Sequence, residues 1–124
     1  MHASKADLHS LTMIRKRDDF VAANTSAAKW VSQGLVMQAM PNDLGLKRTG
    51  FTVTKKVDKR AVVRNRIKRR LRAAAAEVLP RHAKDGMDYI IIGRAETETR
   101  EYAQLCRDLK WCLAKMGFLA EQGS

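Results

Sequence analysis

Lys55-Lys56-Val57-Asp58-Lys59-Arg60-Ala61-Val62-Val63-Arg64-Asn65-Arg66-Ile67-Lys68-Arg69-Arg70-Leu71-Arg72 decides how this chain is read. Two patterns run through it. Val63, Ile67 and Leu71, continued by Ala74 and Val78, fall within an arc of about 80° on a helical wheel, an apolar stripe suited to docking on a sheet. The second pattern is charge. Ten Lys or Arg against one acid give these 18 residues +9, while the other 106 residues hold 14 basic and 12 acidic groups, only +2. The net charge of +11 is therefore a local feature of an otherwise balanced chain.

A helix that merely faces water mixes its signs, because acid–base pairs four residues apart stabilise it and like charges at that spacing repel. From Lys59 to Arg72 there is no acid. A bound polyanion offsets that self-repulsion, so the stretch points to nucleic acid. An anionic membrane surface fits less well, since the side opposite the charges lacks the bulky Trp, Phe or Leu that such a helix buries. On the wheel, Arg64, Lys68 and Arg72 make one row and Asn65 and Arg69 the next. Arg66 and Arg70 lie on the other flank of the stripe, so cations are expected on both sides.

Working outward, the helix is expected over 61–79, favoured by Ala73 to Ala76 and ended by Pro80. Gln33 to Met40 alternates as a strand, with Leu35, Met37 and Ala39 on one side and Val36, Gln38 and Met40 on the other. Pro41-Asn42-Asp43 and Gly45 turn the chain, and Lys47 to Lys55 reads as the next strand. Asp88 to Arg94 is the strongest strand, its three isoleucines suggesting burial on both faces. A last helix is expected from Glu98 to Met116, capped by Thr97, with Glu98 and Glu101 favourably placed in its first turns. Tyr102, Leu105, Leu109, Cys112, Leu113 and Met116 form its core face, with Trp111 opposite. A short helix is expected around Arg17 to Ala23. Residues 1–10 read as a flexible leader, 11–116 as one domain and 117–124 as a tail. The sum is one α+β layer structure.

Composition bounds the chemistry. At 124 residues and 45% hydrophobic, the chain suits one folded core. No apolar run reaches the roughly 18 residues that span a bilayer, and the first twenty residues lack a secretory apolar stretch, so a cytoplasmic protein is expected. Cys106 and Cys112 lie about 240° apart on a helix and cannot bridge there. His2, His9 and His82 share no metal-ligand spacing with them. Cleaving a phosphodiester with protein groups needs a base, an acid or a carboxylate cage. Here Asp18-Asp19 and Glu96, Glu98 and Glu101 sit at helix starts, and no histidine lies near the basic segment. No catalytic residue and no protein-bound metal are expected.

Gly50-Phe51-Thr52-Val53-Thr54-Lys55-Lys56, followed by Ala61-Val62-Val63-Arg64-Asn65-Arg66-Ile67-Lys68-Arg69, resembles the protein component of bacterial ribonuclease P. Leu11 through Asp19-Phe20 looks like that family's first helix, and Asp88 through Arg94 like its Asp-aromatic-apolar-Arg strand. The resemblance covers residues 11–116. It implies an α-β sandwich like the second domain of ribosomal protein S5, with a left-handed β-α-β crossover against the usual rule. It also implies a role in removing the 5′ leader of precursor tRNA, in a ribonucleoprotein whose RNA subunit does the chemistry with Mg²⁺.

By position, the resemblance implies that Arg64, Asn65, Arg66, Lys68 and Arg69 meet the catalytic RNA, with Lys55, Lys56 and Arg60 just before them. It implies that Phe20, Val36, Gln38, Lys68 and Arg72 line the leader cleft. Asn24 and Gln38 stand where some relatives carry aromatics, which implies weaker base stacking. The partners implied are ribonuclease P RNA and precursor tRNA, with no membrane and no small-molecule substrate. A ribosomal-type or chaperone RNA binder would explain the charge and the fold but not the ordered motifs. A DNA-binding basic helix lacks a leucine heptad past Arg72, and a stand-alone nuclease would have to turn over without RNA.

Overall fold

The computed structural model describes residues 11–13, 28–42 and 44–120. Its elements are β1 (Leu11–Met13), β2 (Ala28–Val31), β3 (Leu35–Pro41), β4 (Lys47–Thr52), α1 (Ala61–His82), β5 (Met87–Gly93), a 3₁₀ turn (Ala95–Glu98) and α2 (Tyr102–Met116). The strands form one mixed sheet in the order β1-β4-β5-β3-β2. β4 and β5 are parallel neighbours joined through α1, the β-α-β unit that the resemblance implies. β3 runs antiparallel to β5 and to β2, and β1 lies parallel on the outer edge of β4.

Register sorts the side chains. Leu35, Met37 and Ala39 of β3 stand beside Gly93, Ile91 and Tyr89 of β5. With Phe51 they form the sheet side of the core. The expected stripe of α1 supplies the opposing layer: Val63, Ile67, Leu71, Ala74 and Val78 are all buried, and α2 adds Leu105, Leu109, Cys112 and Leu113. Gly93 sets how closely α1 approaches, because a Cβ there would lie 2.7 Å from Ile67 and 2.8 Å from Val53. The other sheet face carries Val36, Gln38 and Met40 of β3, Ile90 and Ile92 of β5, and Gly50 of β4.

Polar groups lock the end of the sheet opposite the start of α1. Asp88, 4% exposed, accepts from Arg48 at 2.7 and 2.6 Å and from Asn42 at 2.8 Å. Lys47 is buried as well, its ammonium donating to the Pro80 carbonyl at 3.1 Å and pairing with Asp85 at 3.2 Å.

Several expectations need correcting. Pro80 does not end α1, which runs on to His82. A proline in the last turn disturbs only one helical bond, and the Leu79 and Pro80 carbonyls find partners in Ala83 N–H and Lys47. Thr97 does not cap the last helix. It sits in the 3₁₀ turn, accepts from Arg94 N–H and donates to the Gly34 carbonyl, and α2 begins only at Tyr102. Tyr102 is 39% exposed rather than core, its hydroxyl donating to Glu77 at 2.7 Å. The strand from Lys47 ends at Thr52, and the one expected from Gln33 begins at Leu35, after a turn in which Ser32 Oγ donates to the Leu35 carbonyl. Leu11–Met13 is a strand and not part of a helix, while the rest of that expected first helix, with Asp43 of the turn, lies outside the described residues. Sequence periodicity missed β2 altogether.

Beyond α2, Gly117 adopts a left-handed conformation (φ 81°) that returns the chain toward α1. Ala83 then bridges Leu119, and Ala120 N–H donates to the His82 carbonyl.

Candidate nucleic-acid interface

The basic segment occupies the loop after β4 and the first half of α1. Few carboxylates reach it. Asp58 takes Arg60 in a two-bond fork, 3.0 Å to Nε and 2.9 Å to the terminal nitrogen, and also accepts the Arg60 N–H at 2.8 Å. That fork and the backbone bond hold the Asp58 carboxyl down at about 2. Arg64 turns back to donate to the Asp58 and Lys59 carbonyls at 3.1 and 2.8 Å. These bonds fix the loop against the start of α1, where Arg60 offers no side-chain cap.

The two flanks of α1 behave differently. Arg66 pairs with Glu98 at 2.6 Å, and Arg70 donates to the Thr97 and Arg100 carbonyls. That flank ties α1 to the 3₁₀ turn, so cations stand on both sides of the stripe as expected, with Arg66 and Arg70 bonded within the protein. The other flank keeps its charge. Among the described residues, Lys55, Lys56, Lys59, Lys68, Arg69 and Arg72 form no ion pair. Arg72 lies over the Phe51 ring, 5.6 Å from its centroid, which orients the guanidinium without neutralising it. Asn65 is exposed beside this row.

Val36 and Gln38 are neighbours on the sheet face away from α1, flanked by Ile92 and Ile90. Lys68 and Arg72 belong to the helix side. The expected cleft residues thus form two pairs on opposite sides of the sheet, and Phe20 lies outside the described residues. Lys29 was missed: β2 places it directly across from Gln38, adding an exposed cation to that face. The alternation of Ala28-Lys29-Trp30-Val31, with Trp30 turned to the core, was the signal that would have found it.

The model of the family described as Ribonuclease P matches residues 8–117. The ribonuclease P protein component of Paramagnetospirillum magneticum is 46% identical over 114 residues, covering 88% of this chain and 85% of that relative. That of Caulobacter vibrioides is 44% identical over 113 residues, covering 89% and 74%. Among solved structures, the RNase P protein of Staphylococcus aureus superposes with a TM-score of 0.71 at 26% identity, over 87% of this chain and 97% of that one. The RNase P protein of Thermotoga maritima shares the fold, with a TM-score of 0.71 at 22% identity over 83% and 96%. A match that runs through the sheet, the crossover and the basic helix alike leaves one conclusion: the chain belongs to the ribonuclease P protein family.

Proposed function

We propose that the free flank of α1 and the loop before it bind the RNA subunit of ribonuclease P. This chain is the protein subunit of that endoribonuclease. The observation that supports the RNA-binding reading is the row of cations left without carboxylates at one end of the sheet. Lys55, Lys56, Arg60, Asn65 and Arg69 meet ribose-phosphate directly, while Arg64 and Arg66 also hold the surface in shape. Lys68 and Arg72, with Val36, Gln38 and Phe20, take the 5′ leader of precursor tRNA, and Lys29 extends that set. Because the two described pairs lie on opposite sides of the sheet, a leader that meets both crosses its rim.

The metal chemistry is assigned to the RNA. Mg²⁺ fits this chain's interface poorly, since Asp58 and Glu98, the carboxylates beside the basic row, are each taken by an arginine. Among the described residues no three His, Cys, Asp or Glu side chains come together as ligands. The protein's part is to offset repulsion between folded RNA and leader, so that Mg²⁺ acts at lower concentration. No helix among the described residues is long and apolar enough to cross a membrane. The cytoplasm, where precursor tRNA is processed, is the proposed site of action.

The test is reconstitution with ribonuclease P RNA at low Mg²⁺, following leader release. Lys56→Ala with Arg69→Ala, neither of which holds a structural bond, is expected to weaken binding to the RNA about tenfold or more while the circular dichroism spectrum is unchanged. A folded double mutant that binds like the parent would remove this role.

A further inference from the structure

β4 and β5 run parallel, so the C-terminal end of β5 lies at the end of the sheet where α1 begins, beside the turn from β2 to β3. A depression of about 600 Å³ opens there, lined by Val31, Arg94, Arg100, Arg107, Asp108 and Trp111 together with the Ser32 turn. That volume lies within the roughly 300–1,000 Å³ typical of ligand sites. Nothing in the leader or basic-helix assignments uses it.

Three guanidinium groups converge on it from three segments: Arg94 just after β5, Arg100 just before α2, and Arg107 in the second turn of α2. Two are held in position by the protein. Arg94 donates to the Ser32 carbonyl, and Arg100 grips Asp108 through bonds of 2.6 and 3.1 Å. Arg107 is exposed and has no ion-pair partner among the described residues. Asp108 answers Arg100 and Glu96 stands 3.8 Å from Arg94, so Arg107 remains as uncompensated charge. The wall carries a flat apolar surface as well. Trp111 is 44% exposed, packs edge-on to Trp30 at 5.9 Å, and has the Lys115 ammonium 6.0 Å from its ring.

Oriented guanidinium groups suit phosphate, and an accessible indole suits the face of any base. We propose that this depression binds one unpaired nucleotide of the ribonuclease P RNA, its phosphate on Arg94 and Arg107 and its base against Trp111. The proposal rests on the reading that the start of α1 meets the RNA subunit. The depression shares that end of the molecule, and it is tied to α1 by the Arg66–Glu98 pair and by Arg70 on the Thr97 and Arg100 carbonyls. RNA that meets the free flank of α1 reaches the depression by passing the start of that helix.

The test uses the full chain with ribonuclease P RNA and, separately, with precursor tRNA. The chain has two tryptophans, so Trp30→Phe leaves the emission of Trp111 alone to report on the site. Saturating ribonuclease P RNA is expected to quench that emission, and precursor tRNA alone to leave it unchanged. Arg107→Ala, which breaks no structural bond, is expected to lower affinity for the RNA about fivefold and to reduce the salt slope by about one. Affinity for precursor tRNA should stay within twofold. Should Trp30→Phe fail to fold, the parent's two-tryptophan emission and the Arg107→Ala affinities decide the matter. The proposal is overturned if Arg107→Ala binds the RNA like the parent, if the emission is unmoved at saturation, or if only precursor tRNA binding suffers. A parent chain that fails to bind ribonuclease P RNA at all overturns the reading of α1 first, and this one with it.

Discussion

Asp88 shows how one side chain holds several segments. Its carboxylate is buried between β4, which sends Arg48, and the turn after β3, which sends Asn42. Asp88→Asn keeps the size but removes the negative charge that takes two bonds from the Arg48 guanidinium, in a setting where that side chain is only 19% exposed. The expected loss is about 3 kcal/mol, the lower end for breaking a buried pair. Urea unfolding checks it, and a loss below about 0.5 kcal/mol would show that Asn42 and the sheet hold this corner unaided. The pairing was not legible beforehand. The sequence shows an Asp opening a strand and an Arg forty residues earlier; only the register of β4 against β5 makes them neighbours.

At the scale of elements, α1 was the easiest to read and its flanks the hardest. The apolar stripe is a property of the helix alone, so periodicity finds it. Whether Arg66 and Arg70 are bonded within the protein depends on the 3₁₀ turn, whose carbonyls and Glu98 meet them only through the fold. β1 and β2 escaped for a related reason: each is a short edge strand held by a neighbour, β1 by β4 far along the chain and β2 by β3 across the Ser32 turn, and neither carries the apolar run of a buried strand. α2 makes a pH prediction. Burial pushes the Cys112 thiol up to about 11 from its ordinary 9.0. The unfolded chain therefore releases this proton before the folded one does. The contribution of Cys112 to stability is complete below pH 9 and is lost as pH rises from about 9 to 11. Urea midpoints across that range should fall more steeply for the parent than for a folded Cys112→Ala variant. Parallel slopes would mean that the thiol titrates alike in both states.

Taken whole, the molecule separates charge from scaffold, and two predictions belong to that scale. If six to eight phosphates are neutralised, affinity for ribonuclease P RNA should fall by roughly 10³–10⁵ between 50 and 200 mM salt. A slope corresponding to one or two contacts would show that the cation row stays in water. Lys68→Ala with Arg72→Ala is expected to weaken binding of leader-bearing precursor tRNA several-fold while sparing mature tRNA, and equal losses for both would reject the leader assignment. The family and the basic helix were legible because motif order and charge segregation are properties of the chain itself. The split of the residues proposed for the leader cleft between the two sides of the sheet was not, since the face on which Val36 and Gln38 stand relative to α1 is decided by packing.

The placement of nearly all surplus charge at the end where α1 starts has a kinetic meaning too. A body so lopsided in potential behaves as a compass needle in the field of a large polyanion, turning before it touches. Collisions that would otherwise be wasted on the wrong side become productive. Added electrolyte should then slow capture as well as hasten escape.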